Sequence, residues 1–435
     1  MNSIWTRDVK LPSFPTMAGD LSTEVLIIGG GIAGILCAHF LKERGVDYVL
    51  LEKETICSGV TECTTAKITF QHGLIYHKLI NDIGAELATA YLRANQEAVK
   101  MYARLCQNID CDFETKTSYV YTKNDRRVLE EEANALARLG QKSRIEERLE
   151  LPFPVAGAIA MEKQAQFQPL RFLAEIAEDL HIYEHTFVKE FKEKEAVTDH
   201  GTVRFQKVIF TTHFPIDNKH GMYFLKLYQH RSYVIALKDA PKISGMYVDE
   251  EQNGMSFRNY KEYLLIGGGD HRTGKYGGNW EELRRFAKEY YPKAKETACW
   301  ATQDCMSLDQ IPYIGQYAKS LPDCFVATGF NKWGMTSSMV GAMILADLVM
   351  EKENPYQEVF DPSRSMIKPQ LFVNGLEAAK NLLTISSRRC PHMGCALKWN
   401  SIEHSWDCPC HGSSFDEQGK LLDNPANGDM KLKNR

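Results

Sequence analysis

The chain has 435 residues, 44% of them apolar and 25% charged, with a formal net charge of −4. That is a globular composition, enough for two or three domains, and it gives no electrostatic case for a nucleic acid or an anionic membrane as partner. The apolar run Val25 to Ala38 is Gly-rich, too short to span a bilayer and without a basic stretch before it, so neither a membrane span nor a signal segment is expected, and the cytoplasm is the expected compartment.

Val25-Leu-Ile-Ile28 reads as a β run and leads straight into Gly29-Gly-Gly31-Ile-Ala-Gly34. A helical pattern follows to Gly45, and a second β run, Tyr48-Val-Leu-Leu51, ends in Glu52. This is a βαβ unit with a G-x-G-x-x-G turn, the arrangement that binds dinucleotides. Gly29 permits the tight turn, Gly31 lets the backbone approach a pyrophosphate, and Gly34 lets helix and strand pack closely. The helix N-terminus favours the phosphate charge, and Glu52 suits a ribose diol. The loop from Ile56 to Lys67 is rich in hydroxyls (Ser58, Thr61, Thr64, Thr65) and is suited to wrapping a cofactor larger than one nucleotide.

Leu74–Ile109 and Arg126–Leu149 have mostly helical periodicity. Val203–Thr211 reads as a strand closing the nucleotide unit. Tyr223–Lys238, Gly245–Asn259 and Tyr263–Gly268 alternate as half-buried strands do, which predicts a sheet roofing the cofactor ring, followed by an amphipathic helix over Trp280–Tyr291. Asp309-Gln-Ile-Pro312-Tyr-Ile-Gly315 precedes a strand and turn at Cys324–Phe330, and Asn331 to Thr336 opens a helix running to Met350.

Beyond a helical segment at Leu371–Leu383 come Cys390-Pro-His392-Met-Gly-Cys395 and Cys408-Pro-Cys410-His411-Gly-Ser413, six metal-grade side chains within 22 residues. Two Cys and two His suit a mixed-ligand iron–sulfur centre of Rieske type, in which His replaces Cys on one iron. Tetrahedral zinc is the competing reading. Covalent haem, which needs Cys-x-x-Cys-His, does not fit. Of the twelve cysteines, the eight outside this stretch are scattered in a long chain and read as ordinary reduced thiols, with Cys63 alone near the middle of the cofactor loop.

The two boxes resemble those of disulfide-containing Rieske proteins. That likeness implies cluster ligands Cys390, His392, Cys408 and His411, a Cys395–Cys410 disulfide, and a hydrogen bond from Ser413 to a cluster sulfur. Phe415 stands where high-potential members carry a Tyr, so a lower potential is expected. Rieske domains place several strands before the first box; here only about fifty residues follow the helix, a core that is marginal without a metal or disulfide.

The segments from about residue 20 to 365 resemble the D-amino-acid oxidase and glycine oxidase superfamily of FAD-dependent oxidoreductases. The resemblance implies FAD held by Gly29, Gly31, Gly34, Glu52, Lys53, Ser58, Thr61, Thr65, Ala66, Lys67, Val188, Thr212, Gly315, Gly334, Met335 and Thr336. Together the two ends are similar to a bacterial family of flavin–Rieske oxidoreductases, of which Trp5 and Lys67 to Gly73 also look typical. The fold class implied is α/β: a Rossmann-like FAD-binding domain (1–105, 150–215 and 300–370), an inserted antiparallel-sheet substrate domain (106–149 and 216–299), and a small, incomplete all-β Rieske lobe (384–435). Amino-acid oxidases of the superfamily anchor the substrate carboxylate with an Arg; a gap-free alignment on Trp300 and Asp309 puts Asp304 there, so a plain amino acid is not expected. A cationic amine on Asp304, or an anchor from Arg231, Arg258 or His271, are the alternatives. Lys67, His72, Asp304 and Lys332 are the candidate catalytic residues.

The expected activity is hydride transfer from a small organic substrate to FAD. Single electrons then pass through a [2Fe–2S] cluster to an acceptor, a protein electron carrier; the reverse direction, from a reduced carrier through the cluster to the flavin, is equally allowed by the parts. The competing readings are a redox-sensing or electron-transfer flavoprotein without a dedicated substrate, and an FAD oxidase with a structural zinc site.

Overall fold

The computed structural model describes residues 3–217 and 220–431. The first strand, Leu21–Ile28, is buried on both faces along its second half and pairs in parallel with Thr202–Phe210 on one side and Tyr48–Leu51 on the other. Ile182–Tyr183 extends the sheet beyond Tyr48–Leu51, and Leu321–Thr328 extends it beyond Thr202–Phe210. Runs such as Val-Leu-Ile-Ile and Val-Ile-Phe suit this position, because parallel strands are covered on both faces. The helices Ile32–Glu43 and Gly334–Val349 cover the sheet and share its core with Ile27, Leu50 and Ile209.

The second sheet has nine strands among the described residues, and its path runs from Lys295–Ser307 through Leu227–Lys238, Tyr263–Arg272 and Ser256–Tyr260 to Met246–Asp249, Glu114–Thr122, Gly157–Gln166 and Lys67–Ile68. It is antiparallel except where Met246–Asp249 meets Glu114–Thr122. Sheet membership therefore draws the boundary between the first two units away from the expected positions 150 and 300. Gly157–Gln166 and Lys295–Ser307 belong to this roof because they pair residue by residue with Glu114–Thr122 and Leu227–Lys238. Two strand expectations also change. Tyr223–Lys226 is a helical turn entered through left-handed Met222, with Tyr223 buried. Gly245–Asn259 is two strands broken by a turn in which Gly254 lies against Asp249, where a Cβ would come within 2.2 Å.

The third unit is a four-stranded antiparallel sheet, Lys398–Asn400, Ser405–Asp407, Ser414–Phe415 and Leu421–Asp423. Its core is small and half of it is cysteine: Cys390, Cys395, Cys408 and Cys410 with Leu397, Phe415, Ala426 and Met430. The lobe is held by docking. Arg231 pairs with Glu403 and Asp423. Arg272 donates to Pro409 O at 3.1 Å and Cys410 O at 3.3 Å. Gln303 donates to Gly412 O at 2.9 Å, and Asn424 donates to Thr212 O at 2.7 Å and Phe214 O at 2.8 Å. No helix among the described residues is long and apolar enough to cross a membrane.

Candidate functional site: a dinucleotide cavity walled by a cysteine–histidine lobe

A cavity of about 910 Å³ lies between the two large sheets, at the upper end of the range for ligand pockets. Gly29 and Gly31 form its floor where the first strand turns into the helix. Gly29 has φ +108°, and a Cβ there would lie 2.7 Å from Thr211 O. A Cβ on Gly34 would lie 1.9 Å from Gly29 O, so Gly34 works from behind the wall by allowing strand and helix to touch. Thr61 Oγ1 accepts from Ile32 N at 3.1 Å, satisfying one free amide of the helix N-terminus. Glu52 accepts from Gly30 N at 2.7 Å and Glu54 N at 2.9 Å. Burial pushes its carboxyl up against the pull of those bonds.

Lys53, Ser58, Thr61, Thr65, Lys67, Val188, Thr212, Gly334 and Met335 also line the cavity. Three buried side chains hold the loop before Lys67 by its carbonyls. Trp5 Nε1 donates to Thr64 O at 2.7 Å, Trp300 Nε1 to Cys63 O at 2.9 Å, and Arg258 to Thr65 O at 2.8 Å and Ala66 O at 2.6 Å. Arg258 is thus a clamp and not a substrate anchor. Ala66 and Thr336 lie just behind the wall; Thr336 Oγ1 meets His72 Nε2 at 2.9 Å. Gly315 lies outside the cavity. It sits in the strand Tyr313–Ala318 opposite Val326, with Pro362 packed 3.0 Å from where a Cβ would be, so its glycine serves packing.

Lys67 Nζ donates to Thr65 Oγ1 at 3.1 Å and Ser256 Oγ at 3.2 Å; burial, helped by Arg258, lowers its pKa to about 7. His72 bonds Tyr91 OH at 2.6 Å and stacks on Trp333 with ring centroids 5.0 Å apart. Burial lowers its pKa to about 3, so the ring is neutral. His72 and Trp333 both line the cavity as one stacked wall.

An acid cluster lies further along the cavity. Asp270 takes His230 Nδ1 at 2.8 Å and Lys332 Nζ at 3.0 Å. Against the upward push of burial, these contacts hold Asp270 below the usual carboxylate range. Ser232 Oγ bridges Asp270 at 3.1 Å and Asp304 at 3.4 Å. Burial pushes Asp304 up to about 6, with Lys332 pulling against it. Of the two, Asp304 is the acid without a direct cation. Asp270 and Ser232 had no signal in the sequence, since each is one polar residue of an alternating strand. The other two anchor candidates face elsewhere: Arg231 is spent on Glu403 and Asp423, and His271 bonds Tyr233 OH at 3.1 Å and Arg272 O at 3.0 Å.

The cysteine–histidine lobe closes one side of the same cavity. Leu421 to Asn424, with Ala426 and Asn427, line it, and Lys53 Nζ donates to Leu422 O at 3.3 Å. In the lobe, the rings of His392 and His411 stand 4.8 Å apart at 90°. Phe214 packs edge-on to both, at 6.3 and 6.2 Å, directly after Thr212 and His213 of the cavity wall. The donor set fits an iron–sulfur cluster: Cys390 and Cys408 are buried next to the two imidazoles, and His411 Nδ1 is buried without a hydrogen-bond partner among the described residues. Ser413, fully buried, lies beside Cys390, and its Oγ accepts from Ala426 N at 3.0 Å. The implied Cys395–Cys410 bridge is not closed here. Cys395 and Cys410 are not bonded to each other, but the sulfurs of Cys395, Cys408 and Cys410 lie within 4.8 Å of one another, so the two loops already stand within reach of a bond.

The family model for FAD dependent oxidoreductases matches residues 24–348, and that for the Rieske [2Fe-2S] domain matches residues 363–433. YhfW of Bacillus subtilis (strain 168), a protein named for a Rieske 2Fe-2S iron–sulfur centre, is 35% identical over an alignment spanning 97% of this chain and 95% of that protein. That alignment runs over 487 positions, more than the 435 residues present here, so YhfW carries residues that this chain lacks. Cytochrome b6-f complex iron-sulfur subunit 2 of Trichormus variabilis is 46% identical over 43 residues, 10% of this chain and 24% of that one. Among solved structures, glycine oxidase from Geobacillus kaustophilus superposes with a TM-score of 0.67 at 19% identity, over 80% of this chain and all of that one. L-proline dehydrogenase from P. horikoshii gives 0.67 at 18%, over 81% and 98%. Those two show the shared fold. The chain belongs to the FAD-dependent oxidoreductases of the D-amino-acid oxidase family and carries a C-terminal Rieske [2Fe–2S] domain, an enzyme that unites a flavin and an iron–sulfur cluster in one polypeptide.

Proposed function

We propose that this enzyme takes a hydride from a small cationic substrate, an amine by its chemistry, and delivers the electrons singly to a protein carrier by way of the Rieske domain. Bound FAD supplies an acceptor for an electron pair that is released one electron at a time, and the cluster supplies a one-electron relay. Gly29, Gly31 and the helix N-terminus hold the diphosphate, with Glu52 at the adenosine ribose. Ser58, Thr61, Thr65, Gly334 and Met335 bind along the rest of the cofactor, and Thr336 holds His72 from behind the wall. Lys67, with its lowered pKa, holds or gives a proton at Nζ. Trp333 and His72 exclude water from one face. Asp304 orients the substrate cation, with Ser232 fixing the carboxylate. Cys390, His392, Cys408 and His411 ligate the cluster, and a Cys395–Cys410 bridge ties its two loops.

The observation that carries this reading is Phe214. One buried aromatic ring separates the cavity wall at Thr212 and His213 from both imidazoles. The docking of the lobe against the cavity wall supports exchange between the two sites without a domain swing. The test is anaerobic mixing of holo-protein with simple alkyl amines. Bleaching of the flavin, then the Rieske paramagnetic signal, is expected. Phe214→Leu should leave the bleaching rate intact and slow the appearance of that signal. Bleaching only by dithionite or carrier proteins would remove the small substrate from the scheme.

A further inference from the structure

The helix Pro369–Leu383, just before the first cluster loop, is inside out. Its buried residues are the polar Asn374 and Asn381, 5% and 2% exposed, while Phe372, Leu376 and Leu383 are 65%, 73% and 84% exposed. Those three, with Ala379, recur at helical spacing and form one stripe. The polar face is occupied: Arg272 donates to Asn374 Oδ1 at 2.9 Å, and Ala396 N donates to Asn381 O at 3.0 Å. A contiguous apolar stripe of this kind on a soluble surface marks an interaction site.

The stripe runs into the cluster loop. Arg389 ties the two together, donating to Leu382 O at 3.2 Å, Thr384 O at 2.8 Å and Gly394 O at 2.7 Å. Ile385 beyond the helix is 99% exposed, and Met393, next to the ligand His392, is 40% exposed. The rim is basic. Between Glu377 and Glu403 the chain has no acidic residue but has Lys380, Arg388, Arg389 and Lys398, although the whole protein is at −4.

We infer that the outer face of this helix, with the exposed edge of the cluster loop at Met393, is the docking surface for an acidic one-electron carrier protein. The inference rests on the electron-carrier reading above. Charge selects the occupant: two copies of this chain would set basic rim against basic rim, whereas an acidic carrier pairs with it and is steered to it. Exchange there moves one electron and no atoms; this chain is the reductant and the carrier the one-electron oxidant. The site suits that exchange, because both imidazoles pack on Phe214 and, of the two, His411 is buried whereas His392 is partly exposed next to Met393.

The test uses holo-protein with an acidic plant-type [2Fe–2S] ferredoxin as a probe of charge-directed binding alone, since its potential of about −400 mV is too low to accept an electron from a Rieske centre, and a basic cytochrome c as control. Tighter binding of the ferredoxin at low salt is expected, weakened about tenfold by Lys380→Glu with Lys398→Glu and by Leu376→Asp with Leu383→Asp. These are surface changes, so the flavin and Rieske spectra should not move. Equal binding of both carriers, or ferredoxin binding untouched by all four substitutions, overturns the inference. So does sedimentation with phosphatidylserine vesicles, or a dimer that the Leu→Asp pair dissolves. Photoreduction of the flavin in the same samples, followed by the Rieske signal, reports transfer inside the chain separately. Its loss would count against the wider electron-relay reading, and its persistence without ferredoxin binding against the docking surface alone.

Discussion

The dinucleotide cradle and the Rieske lobe are held in opposite ways. The cradle is backbone geometry inside a large core: Gly29, Gly31 and Gly34 matter for what they lack, and Ile27, Leu36, Leu50 and Ile209 hold them in place. The lobe has eight buried core residues, four of them Cys. Its order is supplied from outside, by Arg231, Arg272, Gln303 and Asn424. A site made of packed strands tolerates change at its surface. A site made of loops depends on the partner against which it rests.

Arg231→Ala strikes the lobe hardest. It leaves Glu403 and Asp423 facing each other in a half-buried seam, a loss of about 3–5 kcal/mol. Limited proteolysis should then cut the chain after residue 384 while bound flavin stays. Simultaneous loss of both cofactors would show that the two regions form one cooperative unit.

Asp304→Asn tests the space between them. A cation on this carboxylate should lose about ten- to hundredfold in KM when the charge is removed. The sign of the pH effect is fixed: burial raises the Asp304 pKa to about 6, so the attraction is present above about 6 and lost below it. KM for an amine should rise on acidification through that range in the wild type and stay flat in the variant. The raised carboxyl also makes the folded protein bind more protons than the unfolded chain between its ordinary value and 6. Its contribution to stability therefore falls as pH rises through that window.

Gly34→Ala is the mirror image of the first change. A Cβ at 1.9 Å from Gly29 O forces strand and helix apart, at about 1–3 kcal/mol. Thermal unfolding should move down and FAD affinity should fall, with the Rieske signal retained. The smallest effect is Phe415→Tyr. Phe415 is fully buried in the lobe, and a hydroxyl there adds a donor toward the cluster. The reduction potential should rise by about 40 mV, the one-electron equivalent of a hydrogen bond worth about 1 kcal/mol. An unchanged potential in a redox titration would place that hydroxyl out of reach.

Both cofactors were legible in the sequence because each is read by local chemistry. A glycine turn between strand and helix works over a few consecutive residues, and so does a pair of Cys–His boxes. The anchors were not legible. Arg231, Arg258 and His271 looked alike as isolated basic residues in alternating strands, and only pairing across the sheet separates a docking arginine from a loop clamp. Gly315 misled for the same reason: a glycine reads the same whether it faces a cofactor or Pro362.

The order of residues determined, by itself, the FAD unit, the cluster boxes and the sheet roof, since periodicity and contiguous motifs are properties of short segments. Tertiary structure alone decided that Leu421 to Asn424, with Ala426 and Asn427, wall the dinucleotide cavity, that Phe214 lies between that wall and the two imidazoles, and that the helix before the cluster turns its apolar side outward. Each is a contact between segments distant along the chain, and such contacts follow from which surfaces exclude water together.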